Sequence, residues 1–299
     1  MIRVCGALGV EVWLPKNHYL SFTNSPYYAH HRLSAIDIYP PRGEREVLSP
    51  IEGKLLLHKI VGGEHVLGFE SGDAYVRILH VKPYLSVGES VSIGDLLGEV
   101  VWSPTFFRWT DPHLHLEVRP TNSFIGARGC VKLSIYDDLV NFLRNNVDLS
   151  SGPHGYVVDS ILRGKYVVLK PRSASTLPSL AVSVGNVLGV MEGGIPHYGH
   201  AGIILLHDSA DHQVRVGSCV AVNDVIVGRV DFASEPYVHV MMPERGLYLT
   251  LNGSHVYGTA FFIGASFAKV IPSNWRRLAL NEGDVASLCF QAFKKYVLR

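Results

Sequence analysis

The sequence predicts a mostly β chain organised as two tandem β-rich domains, residues 1–150 and 151–299, with a few short helices. The first observation behind this is a series of short runs, EVWL, AIDIY, KLLLHKI, HVLGF, YVRILHV and HLHLEV. They are rich in β-branched and aromatic residues and are cut by Gly, Pro, Asp and Asn. The second is an internal repeat: VGESVSIGDLLGEV at 87–100 parallels VGSCVAVNDVIVGRV at 216–230. Val87, Gly88, Val91, Asp95, Gly98 and Val100 fall on Val216, Gly217, Val220, Asp224, Gly228 and Val230. Downstream, Asp111-Pro-His-Leu-His-Leu answers Glu235-Pro-Tyr-Val-His-Val, and SPIEGKLLL at 49–57 resembles VSVGNVLGV at 182–190. Three matching segments in one order point to a duplicated β unit.

Taken in order, the strand-like runs fill the first domain up to about residue 133. Near 134–145, SIYDDLVNFLRN changes period: Ser134 can cap, Asp137 takes the third helical position, and Ile135, Leu139, Val140 and Leu143 form one stripe. A helix there, followed by NNVDLSSGPHG, closes the first domain near residue 150. The second opens on YVVDSILRGKYVVLKP, again strand-like. It ends on an expected helix, with Asn281 or Asp284 as cap and Val285, Leu288, Cys289, Ala292 and Phe293 on one face. Lys294, Lys295 and Arg299 suit the dipole at its end.

At 299 residues the chain has room for two domains of ordinary size, and 47% apolar with 18% charged residues suits a well-buried protein. A net charge of +1 gives no electrostatic footprint for nucleic acid. The four cysteines, Cys5, Cys130, Cys219 and Cys289, lie far apart and read as free thiols of a reducing compartment. MIRVCGALGVEVWLPKNHYL is broken early by Glu11, Pro15 and Lys16 and lacks the pattern of a secretory signal. GTAFFIGASFAKVI at 258–271 is too short to cross a bilayer. The expectation is a cytoplasmic protein without membrane or nucleic-acid partners, with a homo-oligomer left open. Fifteen histidines favour metal or proton-transfer chemistry.

The stretch PTFFRWTDPHLHLEVRP at 104–120 gathers that chemistry. In a strand His113 and His115 share a face about 7 Å apart, with Leu114 and Leu116 turned into packing. Glu117 lies on the histidine face by the same parity and can hold an imidazole tautomer. The aromatic run FFRW at 106–109 can line a groove beside them.

In order, residues 31–119 give a histidine and Asp37, then PPRGEREVLSPIEGKLL, ILHV, VGESVSIGDLLGEV and PHLHLEVR. This succession resembles the catalytic core of the lysostaphin-type zinc endopeptidases, whose fold is the barrel-sandwich hybrid. The resemblance implies one Zn²⁺ held by Asp37, His115 and a first histidine, with His113 and His80 beside it to position and deprotonate water. That family cuts peptidoglycan cross-bridges; with no export signal read in this sequence, an intracellular peptide or amide is the expected substrate. The family writes H-x-x-x-D, whereas Leu33 stands four residues before Asp37; the nearest histidines are His31 and His30. Strand parity with Asp37 favours His31 as the metal ligand. The six-residue spacing spans about 20 Å if extended, so the chain must turn, and Arg32-Leu33-Ser34-Ala35-Ile36 offers no glycine for it.

In the second copy His239 aligns with His115, but Tyr237 replaces His113 and KPRSASTLPS holds no H…D pair, so that domain is expected to be non-catalytic. One of His197, His200, His207 and His212 can stand where His80 does. Two other classes compete with the hydrolase. One is an inactive binding or scaffold protein on the same fold. The other is a carrier domain, which needs a lysine where this chain has Arg42-Gly43-Glu44-Arg45.

Overall fold

The computed structural model describes residues 1–147, 155–172, 176–206, 214–244 and 246–292. The chain is mostly β and divides into two compact units. Unit 1 comprises Met1–Phe22 and Tyr27–Leu139; unit 2 comprises Thr23–Pro26 and Val140–Arg299. Among the described residues no helix is long and apolar enough to cross a membrane.

Unit 1 contains β1 (Ile2–Ala7), β2 (Val10–Leu14), β3 (Tyr19–Ser21), the one-turn helix α1 (Tyr28–His31), β4 (Ile36–Tyr39) and β5 (Glu46–Leu48). There follow β6 (Gly53–Val61), β7 (Glu64–Ser71), β8 (Ala74–Leu79), β9 (Val81–Pro83), β10 (Ser90–Val91), β11 (Leu96–Val100), β12 (Leu114–Arg119) and β13 (Ser134–Ile135). Its main sheet has the order β10-β6-β7-β8-β12-β4-β3, with all neighbours antiparallel. Two three-stranded sheets, β13-β1-β2 and β5-β11-β9, complete the unit. The β6–β7 hairpin turns on Gly62-Gly63, both at positive φ, as a two-residue turn matched to strand twist requires.

In β12 every residue is buried, so the strand is covered on both faces. Leu114, Leu116 and Val118 pack with Ile36, Ile38, Val76 and Ile78 from the flanking strands, all with no exposed surface. Burying one such side chain stabilises the fold by roughly 1.5–3 kcal/mol. The alternate positions, His115, Glu117 and Arg119, are polar and also buried, so each must find a partner inside the protein.

The helix expected near 134–145 is α2 (Asp137–Asn146). Ser134 does not cap it: Ser134 and Ile135 form β13, whose residues pair with Gly6 and Cys5. Asp137 and Asp138 instead occupy the first turn, where negative charge suits the helix dipole.

Unit 2 contains β14 (Tyr156–Leu162), β15 (Tyr166–Pro171), β16 (Leu180–Val184), β17 (Val187–Ile195), β18 (His200–Leu205), β19 (Cys219–Val222) and β20 (Val225–Ser234). The remainder are β21 (Tyr237–Met241), β22 (Leu247–Leu251), β23 (Ser254–Phe261), β24 (Ala268–Pro272), β25 (Val285–Ala286) and β26 (Leu288–Ala292). Strands β16, β19, β20, β21, β18 and β17 pair in that order, and β17 pairs back onto β16, closing a ring. From β17 the sheet continues through β23, β24, β15, β14 and β25.

The expected C-terminal helix is absent from 285–292, which form β25 and β26. The same residues also read with period two, Leu288 and Phe290 buried against the core. Residue-by-residue pairing with β22, from Leu251↔Leu288 to Leu247↔Ala292, decides for the strand over the helical stripe. Phe293, Lys294, Lys295 and Arg299 lie outside the described residues, as do the 148–154 connection, His207 and His212.

β12 lies between β4 and β8, and β21 lies between β18 and β20. The repeat-matched strands β11 and β20 have different neighbours, β5 and β9 for one, β19 and β21 for the other. Both carry their matched glycine, Gly98 or Gly228, at a register shift where a Cβ would collide with a neighbouring backbone carbonyl, that of Lys82 or Met241. We expect Gly98→Ala to lower stability by about 1–3 kcal/mol. The urea midpoint checks this; an unchanged midpoint means β9 and β11 shift apart without penalty.

Candidate metal centre

The centre is assembled on β12 and its two neighbours. Antiparallel pairing sets His115 opposite Asp37 of β4 and Leu79 of β8. His115 Nδ1 lies 2.9 Å from Asp37 Oδ1. His30 Nε2 lies 3.4 Å from the same oxygen and 3.3 Å from His115 Nδ1. These three side chains are buried, and their ligand-type atoms all lie within 4.8 Å of one another. His113, the residue before β12, turns its Nε2 to within 3.5 Å of Asp37 Oδ1.

The first histidine is therefore His30, correcting the expectation of His31. Strand parity does not apply because both residues lie in α1, where neighbours differ in direction by about 100°. His31 is not part of this group. The turn that the sequence left without a glycine is made by Leu33, which adopts a left-handed φ of 52°. That conformation costs a non-glycine residue about 1–2 kcal/mol. It is offset by complete burial of the Leu33 side chain and by backbone bonds from Ser34 N to Ala29 O (2.9 Å) and from Leu133 N to Leu33 O (2.7 Å).

Each imidazole is oriented from behind. His30 Nδ1–H donates to the Phe22 carbonyl at 2.7 Å, which leaves Nε2 as the lone-pair nitrogen facing the group. His115 Nε2–H donates to Glu117 Oε1 at 3.2 Å. His113 Nδ1–H donates to the Asp111 carbonyl at 2.9 Å. These are the contacts that fix the tautomer of a metal-binding or base histidine.

Glu117, expected to steer an imidazole, is held in turn by Arg77 Nη2 at 2.5 Å and Arg119 Nη2 at 2.8 Å. Arg119 also donates to the carbonyls of Ser123, Gly126 and Arg128, tying the 123–128 loop to the strand. Neither arginine was singled out from sequence. The signal was present, since Arg119 continues the parity of His113, His115 and Glu117, and Arg77 interrupts an apolar strand.

His80 stands at the end of β8 with φ 66°, an unusual backbone for a side chain with a Cβ. Its Nδ1–H donates to Glu64 Oε2 at 2.5 Å, and Glu64 also accepts from the Ser103 hydroxyl. The His80 ring lies 5.4 Å from that of His113 and 6.1 Å from that of His115. Of the FFRW run, Phe106 stacks on His113 at 4.7 Å and meets His80 edge-on. A cavity of about 680 Å³ opens beside His80 and His115, and Tyr28, Arg32, Ile125 and Arg128 are among its walls.

Electrostatics separate these groups. Burial raises the Asp37 carboxyl, but His30, His113 and His115 outweigh it and hold it well below the usual carboxylate range. Burial lowers His115, yet its hydrogen bonds to Asp37 and Glu117 prevail and bring it to about 9. For His113 burial wins over the attraction of Asp37, and its pKa falls to about 4. His30 is likewise lowered, chiefly by burial.

The donor set fits a zinc ion. Two imidazoles and a carboxylate converge, and Asp37 Oδ2 is a buried oxygen with no hydrogen-bond partner among the described residues. Three protein donors would leave a bound ion a further position open.

A family model described as the N-terminal domain of a domain of unknown function (DUF8155) matches residues 10–135, the stretch that contains every residue of this centre. No curated protein matches the chain. Among solved structures, the NMR solution structure of lysostaphin is 13% identical, covering 92% of this chain and 97% of that one at a TM-score of 0.30. The antimicrobial peptidase lysostaphin from Staphylococcus simulans is 14% identical, covering 91% and 95% at a TM-score of 0.30. At overlap this loose, nothing about the site passes from those proteins to this chain.

Two outcomes are expected. Arg119→Met takes the guanidinium from the Ser123 and Arg128 carbonyls and leaves Glu117 with Arg77 as its one arginine partner, and should cost about 3–5 kcal/mol. Arg3→Met, which removes half-exposed ion pairs with Glu11 and Asp138, should change the urea midpoint little. In the metal-free protein His113 and His115 act on opposite pH limbs. His115, raised from 6.5 to about 9, contributes stability fully below pH 6.5 and loses it as pH rises to 9. His113, lowered from 6.5 to about 4, opposes folding as pH falls through that window. His115→Gln should flatten the alkaline limb of a stability–pH curve and His113→Gln the acid limb; curves parallel to wild type refute the assignment.

Proposed function

We propose that this chain is a zinc-dependent hydrolase of peptide or amide bonds. The observation that supports it best is the convergence of His30 Nε2, His115 Nδ1 and Asp37 Oδ1, with Asp37 Oδ2 buried beside them. A zinc ion, when bound, supplies Lewis-acid polarisation of a carbonyl and acidifies a water molecule toward a pKa of about 7.

The chain's own residues do the rest. Neutral His113 presents Nε2 toward the centre, takes a proton from the attacking water and returns it to the leaving amine. Phe106, stacked on that ring, fixes its plane and excludes water from its face. His80, held by Glu64, offers an imidazole to the developing negative charge. The cavity beside His115 gives the substrate its entry. Unit 2 is proposed as a second copy of the β unit without the hydrolytic set, since the aligned position of His113 is Tyr237.

A second reading, a catalytically inactive binding or scaffold protein, is favoured by one contact. At 2.9 Å a protonated His115 and Asp37 satisfy each other without an ion.

Zinc analysis of protein purified without chelator, combined with peptide-library hydrolysis, separates the two. His30→Ala and His115→Ala should each lose the same single zinc equivalent, and the double variant no more than either. His113→Ala should keep its zinc and lose about 10²–10⁴-fold in turnover. Zinc content unchanged in His115→Ala, or full activity in His113→Ala, overturns the hydrolase.

A further inference from the structure

Unit 2 contains a buried imidazole pair of its own. His200 opens β18 and His239 lies in β21, and neither has exposed surface. His200 Nε2–H donates to the Ser25 carbonyl at 2.8 Å. His239 Nδ1–H donates to Asp231 Oδ1 at 2.6 Å. A carbonyl and a carboxylate only accept, so these contacts fix the tautomers: His200 Nδ1 and His239 Nε2 are the lone-pair nitrogens. Those two nitrogens face each other 3.0 Å apart. Two lone pairs at that distance repel unless a cation, a proton or a metal ion, lies with them.

Unit 1 arranges its ligands in the same way. There one imidazole donates to a backbone carbonyl (His30 to Phe22) and one to a carboxylate (His115 to Glu117), and the opposite nitrogens converge at 3.3 Å. In unit 2 the carbonyl is that of Ser25 and the carboxylate that of Asp231. A carboxylate behind one imidazole and a carbonyl behind the other is the arrangement that turns histidines toward a metal.

We propose that unit 2 binds a second transition-metal ion through His200 Nδ1 and His239 Nε2. Paired neutral imidazoles suit zinc, copper or nickel and not magnesium or calcium. Asp231 acts through His239, so no negative charge of this trio touches the ion, and retention is weaker than at Asp37. This site does not depend on the hydrolase reading, because it shares no residue with that centre.

The test is the zinc content of the full chain, expressed with zinc and purified without chelator. Wild type should hold two equivalents, His115→Ala one, His239→Gln one, and the combined variant none. Asp231→Asn alters a side chain that is 42% exposed and should leave folding intact, while weakening one site about 10–100-fold against a chromophoric chelator. It keeps the proposal falsifiable if His239→Gln fails to fold. Zinc content and affinity untouched in both variants overturn the second site. So does a proton shared between the two rings, seen by NMR in zinc-replete protein. One equivalent that survives His115→Ala but not His239→Gln upholds this site and removes the hydrolase; the reverse pattern removes this site alone.

Discussion

The antiparallel register of β12 against β4 is the constraint on which unit 1 depends. It sets His115 opposite Asp37 and places a carboxylate with no exposed surface in the middle of a sheet. A buried anion is costly unless compensated. The surrounding chain is arranged as that compensation: α1 folds back to bring His30, the residue before β12 supplies His113, and β12 itself supplies His115. The need then propagates outward, because a cationic His115 calls for Glu117, and Glu117 calls for Arg77 and Arg119. A chain of alternating charges runs through the sheet where hydrocarbon would be the cheaper filling.

Much of this was legible in the sequence wherever it depended on period. The alternation in HLHLEVR placed His113, His115 and Glu117 on one face, and the structure brings them to one centre with Asp37. The order of β-rich runs likewise gave the mostly β class. What escaped was set by conformations without a periodic signature. Two adjacent histidines in a single helical turn obey neither strand parity nor an amphipathic stripe, so His30 and His31 could be told apart only by the left-handed turn at Leu33. At 285–292 a helical stripe and a strand alternation coexist in the same letters, and only the presence of β22 alongside decides between them. Glu64, which holds His80, lies 16 residues away across a hairpin, beyond any local pattern.

Unit 2 reuses the vocabulary of unit 1 with different grammar. β21 sits between two antiparallel partners as β12 does, and His239, like His115, is backed by a carboxylate. Yet the second imidazole comes from the neighbouring strand β18 instead of a helix. The segment Thr23–Pro26, far away in sequence, joins this unit through Thr23, whose hydroxyl donates to Glu192 at 2.9 Å and accepts from Gly202 N at 3.0 Å.

The covering of β12 on both faces also bears on how the gene can change in length. One residue gained or lost within β4 or β12 would exchange the faces beyond it, sending leucines to the ionic side and charges into hydrocarbon. Deletions and duplications can survive outside these strands, in exposed connections such as 41–45, which carries no residue of the centre. Relatives of this chain should therefore differ in the size of those connections while Asp37 and His115 keep an unbroken frame within their strands.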